Sequence, residues 1–117
     1  MESMLFSPIS IGDLVINNRI VVAPMCQYSA IDGSATDWHL MHLGQFSVSG
    51  SGLVFIEATA VEKKGRITPG CLGLYSDDNE KELEKIVQFF KKYGNSKIGI
   101  QLAHAGRKAS TKIPWRG

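Results

Sequence analysis

Side chains able to take part in chemistry follow two apolar segments of the sequence. A thioether, a thiol and a phenol come after the first segment, at Met25, Cys26 and Tyr28. An amide and an imidazole come at the end of the other, at Gln101 and His104. No histidine lies near Cys26 in the sequence to serve as its base, although His104 could approach it in space. Three roles therefore stay open for Cys26: filling a gap in the core, attacking a substrate, and tuning a bound redox ring through a weak hydrogen bond.

These side chains must be positioned by strands. Residues 20–22 are β-branched and apolar without alternation, which predicts a strand over residues 19–23 that is buried on both faces, and Pro24 stops regular pairing. Residues 52–57 and 97–102 predict two further buried strands, and residues 59–68 predict a loop. Working groups in α/β proteins follow the carboxyl ends of strands, which share one edge of a parallel sheet. Strands about 4.8 Å apart give a polar edge roughly 10 Å across, which suits a flat ligand of fused rings.

Helices separate the predicted strands. Thr36 is expected to cap a first helix that continues toward Gly50, and Ser76 a second that stops at Gly94. A hairpin with the loop Gly12-Asp13 precedes them. The order hairpin, β, α, β, α, β predicts an α/β fold with a parallel sheet and right-handed crossovers.

Composition narrows the class of protein. The 117 residues are 44% hydrophobic with a net charge of +2, which indicates a globular chain without a nucleic-acid partner. No signal peptide or long apolar run occurs, so we expect a soluble chain without a membrane partner. Cys26 and Cys71 fit neither a metal pair nor a disulfide framework, and free thiols favour a cytoplasmic location.

Two other kinds of site are disfavoured. His39 and His42 stand three residues apart with no convergent acid, so we expect no metal site. With Trp38, they are predicted to pack at the interface of helix and sheet. No glycine-rich phosphate loop follows the first strand, which argues against a nucleotide-binding doubly wound fold.

Four sequence blocks resemble the Old Yellow Enzyme family: residues 23–28, 57–61, 65–70 and 99–109. The combination of a cysteine and a tyrosine in the first block resembles the bacterial branch of thermophilic-type ene-reductases and xenobiotic reductases. The resemblance implies a (β/α)₈ TIM barrel with FMN across the carboxyl ends of its strands. It also implies NADPH or NADH as the reductant and an α,β-unsaturated carbonyl compound, an enone, as the substrate.

The resemblance further implies roles for individual residues. Cys26 and Tyr28 are the expected catalytic residues: Cys26 hydrogen-bonds near the reactive edge of the flavin, and Tyr28 faces the substrate. Gln101 is expected to bind the pyrimidine end of the ring. His104 and Arg107 are expected either to support the ligand-contacting residues from behind or to be structural. The expected cofactor-binding residues are Ala23, Pro24, Met25, Cys26, Ala60 and Gln101.

A (β/α)₈ barrel needs about 250 residues. Residues 1–117 are therefore expected to be the N-terminal part of a single FMN-binding TIM-barrel domain, inactive alone and homo-oligomeric when complete. One alternative is the N-terminal part of a dienoyl-CoA reductase-like flavoenzyme, which would add a cysteine cluster for an iron–sulfur centre. Another is a truncated, non-catalytic chain that pairs its open sheet edges with a partner.

Overall fold

The structure, a computed structural model, describes residues 3–116, so residues 1, 2 and 117 of the predicted domain lie outside it. A two-stranded hairpin is followed by a βαβαβ unit with a parallel sheet in the order β3-β4-β5. The strands are β1 Ile9–Ile11, β2 Leu14–Ile16, β3 Val21–Val22, β4 Leu53–Ala60 and β5 Lys97–Ala103, and the helices are α1 Asp37–Ser47 and α2 Asp77–Tyr93. Short 3₁₀ turns occur at Lys63–Gly65, Gly106–Lys108 and Pro114–Arg116. Within residues 3–116, no helix is long and apolar enough to cross a membrane.

The hairpin forms at the predicted loop. Ile9 pairs with Ile16 and Ile11 with Leu14, which leaves Gly12-Asp13 as a two-residue connection. Gly12 has a φ of +59°, and Asp13 does not share its positive φ. That combination fits a type II′ turn, in which glycine takes the first central position.

Both helices begin and end close to the predicted residues. The Thr36 side chain and backbone N–H both bond to His39 in a capping box, and the Ser76 hydroxyl accepts the N–H of Asn79. Gly94 ends α2. Helix α1 packs on β4 and on α2, and α2 packs on β5. They enclose a core of buried apolar side chains: Ala35, Leu43, Val54, Ile56, Leu72, Leu83, Ile86 and Phe90.

The strands differ from the sequence prediction in exposure. Val21 is 45% exposed and Leu102 is 58% exposed, so the first and third strands are not buried on both faces. Each pairs with β4 on one side only within the described residues, so the other edge of each strand is open there. Only the central strand β4 is buried as predicted.

The second strand is also longer than predicted. It continues through Ala60, with a register shift between Ile56 and Thr59, so the predicted loop at residues 59–68 begins too early. The Ala60 N–H donates to the Leu72 carbonyl, and the Leu74 N–H donates to the Ala60 carbonyl. The returning backbone pairs with the end of β4 and extends it.

Candidate functional site

The carboxyl ends of β3, β4 and β5 meet at one edge of the sheet, which we call the rim: residues 23–28, Ala60 and Gln101. The parallel register places the predicted residues there, because Val22 pairs with Val54 and Ala60 with Ala103. Met25 is 43% exposed and Gln101 is exposed, whereas Ala60 is 3% exposed beneath them. The fold thus brings all the predicted site residues to the same edge.

Cys26 is half-buried on the rim. Burial raises the pKa of its thiol, and the negative charge of Glu57 raises it further. The backbone N–H of Ala58 partly opposes this effect. Since the ordinary thiol pKa already lies above neutrality, Cys26 is a neutral hydrogen-bond donor at pH 7 and a poor nucleophile.

The sequence predicts Glu57 at the end of the second strand and therefore at the edge of the sheet, but β4 continues through Ala60 and Glu57 lies buried beneath the rim. It is 2% exposed, and its Oε2 accepts the backbone N–H of Gln27 at 3.3 Å. Its Oε1 lies 3.7 Å from Nε2 of His39, which is completely buried. Neither of those two atoms has a hydrogen-bond partner among the described residues. An acid directly after the apolar run of residues 53–56 was the available signal, but the contact with α1 depends on the fold.

Gln27 holds the segment after β3 to the first helix. Its side-chain amide donates to the Met25 carbonyl at 2.9 Å and accepts the indole N–H of Trp38 at 2.9 Å. Trp38 is 52% exposed, so its predicted packing between helix and sheet is wrong. His39 is buried as predicted, and His42 packs edge-on against Phe46.

Tyr28 occupies a left-handed backbone conformation with a φ of +52°. Burial raises the pKa of its hydroxyl, which stays protonated at neutral pH. Its ring lies edge-on to Trp115 and lines a groove of about 460 Å³ with Pro69 and Lys112. A Cβ at Gly70 would lie 2.6 Å from the Tyr28 carbonyl oxygen, so this approach requires glycine.

A contact between His104 and Glu62 joins the loops after β4 and β5. The His104 imidazole Nε2 lies 2.6 Å from the Glu62 carboxylate, and its Nδ1 accepts the N–H of Gly106. Nε2 therefore carries the hydrogen and donates it to Glu62. A Cβ at Gly65 would lie 2.7 Å from this imidazole. His104 thus acts as a tether between loops, which is one of the two roles expected of it.

The rim presents hydrogen-bonding groups beside apolar surface. The Gln101 amide can donate and accept, and within residues 3–116 it has no side-chain hydrogen bond. Cys26 adds a neutral donor, and Pro24 and Met25 add apolar surface. Residues 3–116 contain no cluster of three or more His, Cys, Asp or Glu side chains that could hold a metal ion. A parallel βαβαβ unit with polar groups at the carboxyl ends of its strands is typical of part of a (β/α)₈ barrel.

Comparison with known proteins identifies the family. The NADH:flavin oxidoreductase / NADH oxidase family matches residues 4–114, and the chain belongs to this family. It is 52% identical over 114 residues to an NADH:flavin oxidoreductase of Gibberella zeae, covering 97% of this chain and 27% of that protein. It is 47% identical over 111 residues to the NADPH dehydrogenase of Bacillus subtilis, covering 93% of this chain and 32% of that protein.

Solved structures agree with these relatives. The Old Yellow Enzyme from Pichia sp. AKU4542 superposes with a TM-score of 0.85 at 29% identity, covering 92% of this chain and 28% of that one. Morphinone reductase in complex with tetrahydroNAD superposes with a TM-score of 0.83 at 27% identity, covering 92% and 29%. The chain thus spans less than a third of the length of these proteins. These comparisons confirm the resemblance to the Old Yellow Enzyme family and the barrel fold. They also confirm FMN and NAD(P)H as the cofactors of the family.

Proposed function

We propose that residues 1–117 form the N-terminal part of one FMN-binding barrel that reduces the C=C bond of α,β-unsaturated carbonyl compounds with NAD(P)H. The observation that carries the proposal is the rim itself. The segment after β3 carries a neutral thiol and a phenol, β5 carries an amide without a side-chain hydrogen bond among the described residues, and β4 joins the two strands in one parallel sheet. The complete protein is proposed to be a cytoplasmic homo-oligomer, and the two free thiols support that location.

The residues of the rim bind and orient in this proposal. FMN, when bound, supplies hydride transfer between NAD(P)H and the substrate. Gln101 binds the polar end of the ring, and Ala23, Pro24, Met25 and Ala60 shape the surface beside it. Cys26 donates a hydrogen bond to the ring and so tunes its reduction potential, while Tyr28 donates to the substrate carbonyl.

The experiment needs a complete barrel. We define the barrel-length protein as residues 1–117 joined to the remaining strands of the Bacillus subtilis relative, to which this chain is 47% identical. In that protein, Cys26→Ala should retain FMN, shift its reduction potential and change turnover moderately. Cys71→Ala is the matched control, because Cys71 is a buried thiol that contacts Thr68. A covalent adduct of Cys26 that is required for turnover would contradict the tuning role.

A non-catalytic chain is the second candidate, because β3 and β5 have open edges within the described residues. Gel filtration and absorption spectroscopy separate the two. A defined oligomer of residues 1–117 alone, together with a barrel-length protein that binds no flavin, would favour pairing through those edges. Flavin content and NADPH-dependent enone reduction in the barrel-length protein would favour the enzyme.

A further inference from the structure

Building on the tuning role proposed for Cys26, we propose that Glu57 and His39 form a buried positioning pair. In this proposal the pair fixes residues 25–27, and with them the Cys26 thiol, on the rim. Both side chains are buried beneath the rim and act through the backbone of residues 25–27.

Burying the Glu57 side chain at this position carries a free-energy cost. It is 2% exposed and follows Ile56 at the register shift of β4, next to the core. A buried carboxylate costs free energy unless hydrogen bonds or a charge partner compensate for its lost hydration. One compensating bond is visible, from the Gln27 N–H to Oε2 at 3.3 Å. That bond holds the backbone directly after Cys26 to the central strand.

His39 approaches the other oxygen of the same carboxylate. Its Nδ1 accepts the Thr36 backbone N–H at 2.9 Å, so Nε2 carries the hydrogen of the neutral ring. Nε2 lies 3.7 Å from Oε1 of Glu57, and both atoms lack another partner among residues 3–116. At 3.7 Å the two atoms lie beyond hydrogen-bond distance, and we infer that they pair because each is buried and has no other partner in that part of the chain. The pair connects the start of α1 to the segment after β3.

The pair also affects the charge state of Cys26. The Glu57 carboxylate raises the pKa of the thiol, second only to burial. The other titratable groups near this site are His39 and His42 on α1, Tyr28 after β3, and Cys71 in the loop before α2. Among residues 3–116, Glu57 is the only carboxylate that contributes to the pKa of this thiol, and its charge adds to burial in favouring the neutral, hydrogen-bond-donating form of Cys26.

Three single variants of the barrel-length protein, together with the double variant of Glu57 and His39, test the pair. Glu57→Gln keeps the shape and removes the charge, and His39→Asn keeps an acceptor for the Thr36 N–H and removes the donor facing Glu57. Glu84→Gln is the control, because Glu84 is exposed on α2. The measurements are the pH dependence of Cys26 alkylation by iodoacetamide in the apoprotein, read by peptide mass spectrometry, and the flavin reduction potential in the holoprotein.

We expect Glu57→Gln to lower the midpoint of Cys26 alkylation, which gives severalfold faster alkylation at a pH below the midpoint. We also expect it to shift the flavin potential. His39→Asn should shift the potential, and the double variant should shift it by less than the sum of the two single variants. The Glu84→Gln control should match the unmodified protein in both measurements.

Alkylation and potential unchanged in Glu57→Gln would overturn the proposal. If Glu57→Gln does not fold, His39→Asn decides, and an unchanged potential in that variant would equally overturn it. A different result would refute the tuning role of Cys26 and leave the pair standing. In that result Cys26→Ala leaves the flavin reduction potential unchanged, while Glu57→Gln still lowers the midpoint pH of Cys26 alkylation.

Discussion

Replacing Gln101 with leucine tests whether the rim binds the cofactor. The side chain is exposed on β5, next to Leu102, which pairs in register with Thr59. Because Gln101 is outside the buried core, Gln101→Leu should leave the fold intact. An amide can form two hydrogen bonds with a ring edge, one as donor and one as acceptor. Each contributes about 0.5–1.5 kcal/mol net, so losing both costs about 1–3 kcal/mol.

That free-energy loss corresponds to an increase in the Kd for FMN of roughly 5- to 150-fold, since about 1.4 kcal/mol is tenfold. The assay is titration of FMN into the barrel-length apoprotein, followed by quenching of flavin fluorescence. Gln88→Leu is the matched control, because Gln88 is exposed on α2 away from the rim. An FMN affinity in Gln101→Leu equal to that of the control would remove Gln101 from the site.

Three further predictions concern the substrate, the core and the loops. Tyr28→Phe removes one hydrogen bond of about 0.5–1.5 kcal/mol, so the KM for an enone should rise roughly 2- to 12-fold. The rate of flavin reduction by NADPH should not change, and equal KM values in the two proteins would count against contact between Tyr28 and the substrate. Phe90→Ala leaves a cavity at a core position that is 3% exposed, so the free energy of unfolding measured by urea titration should fall by about 3–5 kcal/mol. A loss below about 1 kcal/mol would show that neighbouring side chains move in to fill the cavity. The hydrogen bond from His104 lowers the pKa of Glu62, so its contribution is present above the unfolded-state pKa and is lost as the pH falls through the folded-state pKa. Urea titrations should therefore show that acid destabilises the unmodified protein more than Glu62→Gln, and parallel acid dependences would refute the tether.

Local signals in the sequence predicted much of the fold. Gly12-Asp13 defined the hairpin, and Ser76 and Gly94 defined the ends of α2, because turns and caps depend on neighbouring residues. The parallel order of the strands followed from their alternation with helices. That order was sufficient to bring Cys26 and Gln101 to the same edge.

Features that depend on distant contacts were not predictable in this way. β4 extends to Ala60 because the backbone at Leu72 and Leu74 returns to pair with it. The exposure of Val21 reflects which strands and helices lie beside β3, which its own apolar run does not encode. The approach of His39 to Glu57 joins residues of α1 and β4 through tertiary packing.

The visible absorption of the purified barrel-length protein, beside that of residues 1–117 alone, tests the central claim most directly. Barrels of this kind hold phosphate at the loops after strands seven and eight. Losing even two charge-assisted bonds of about 1.5–3 kcal/mol each weakens binding by roughly a hundredfold or more. We predict a flavin band and NADPH-dependent enone reduction in the barrel-length protein, and neither in residues 1–117 alone. A colourless barrel-length protein, prepared beside a yellow Bacillus subtilis relative, would contradict the claim that these residues supply one side of a flavin site.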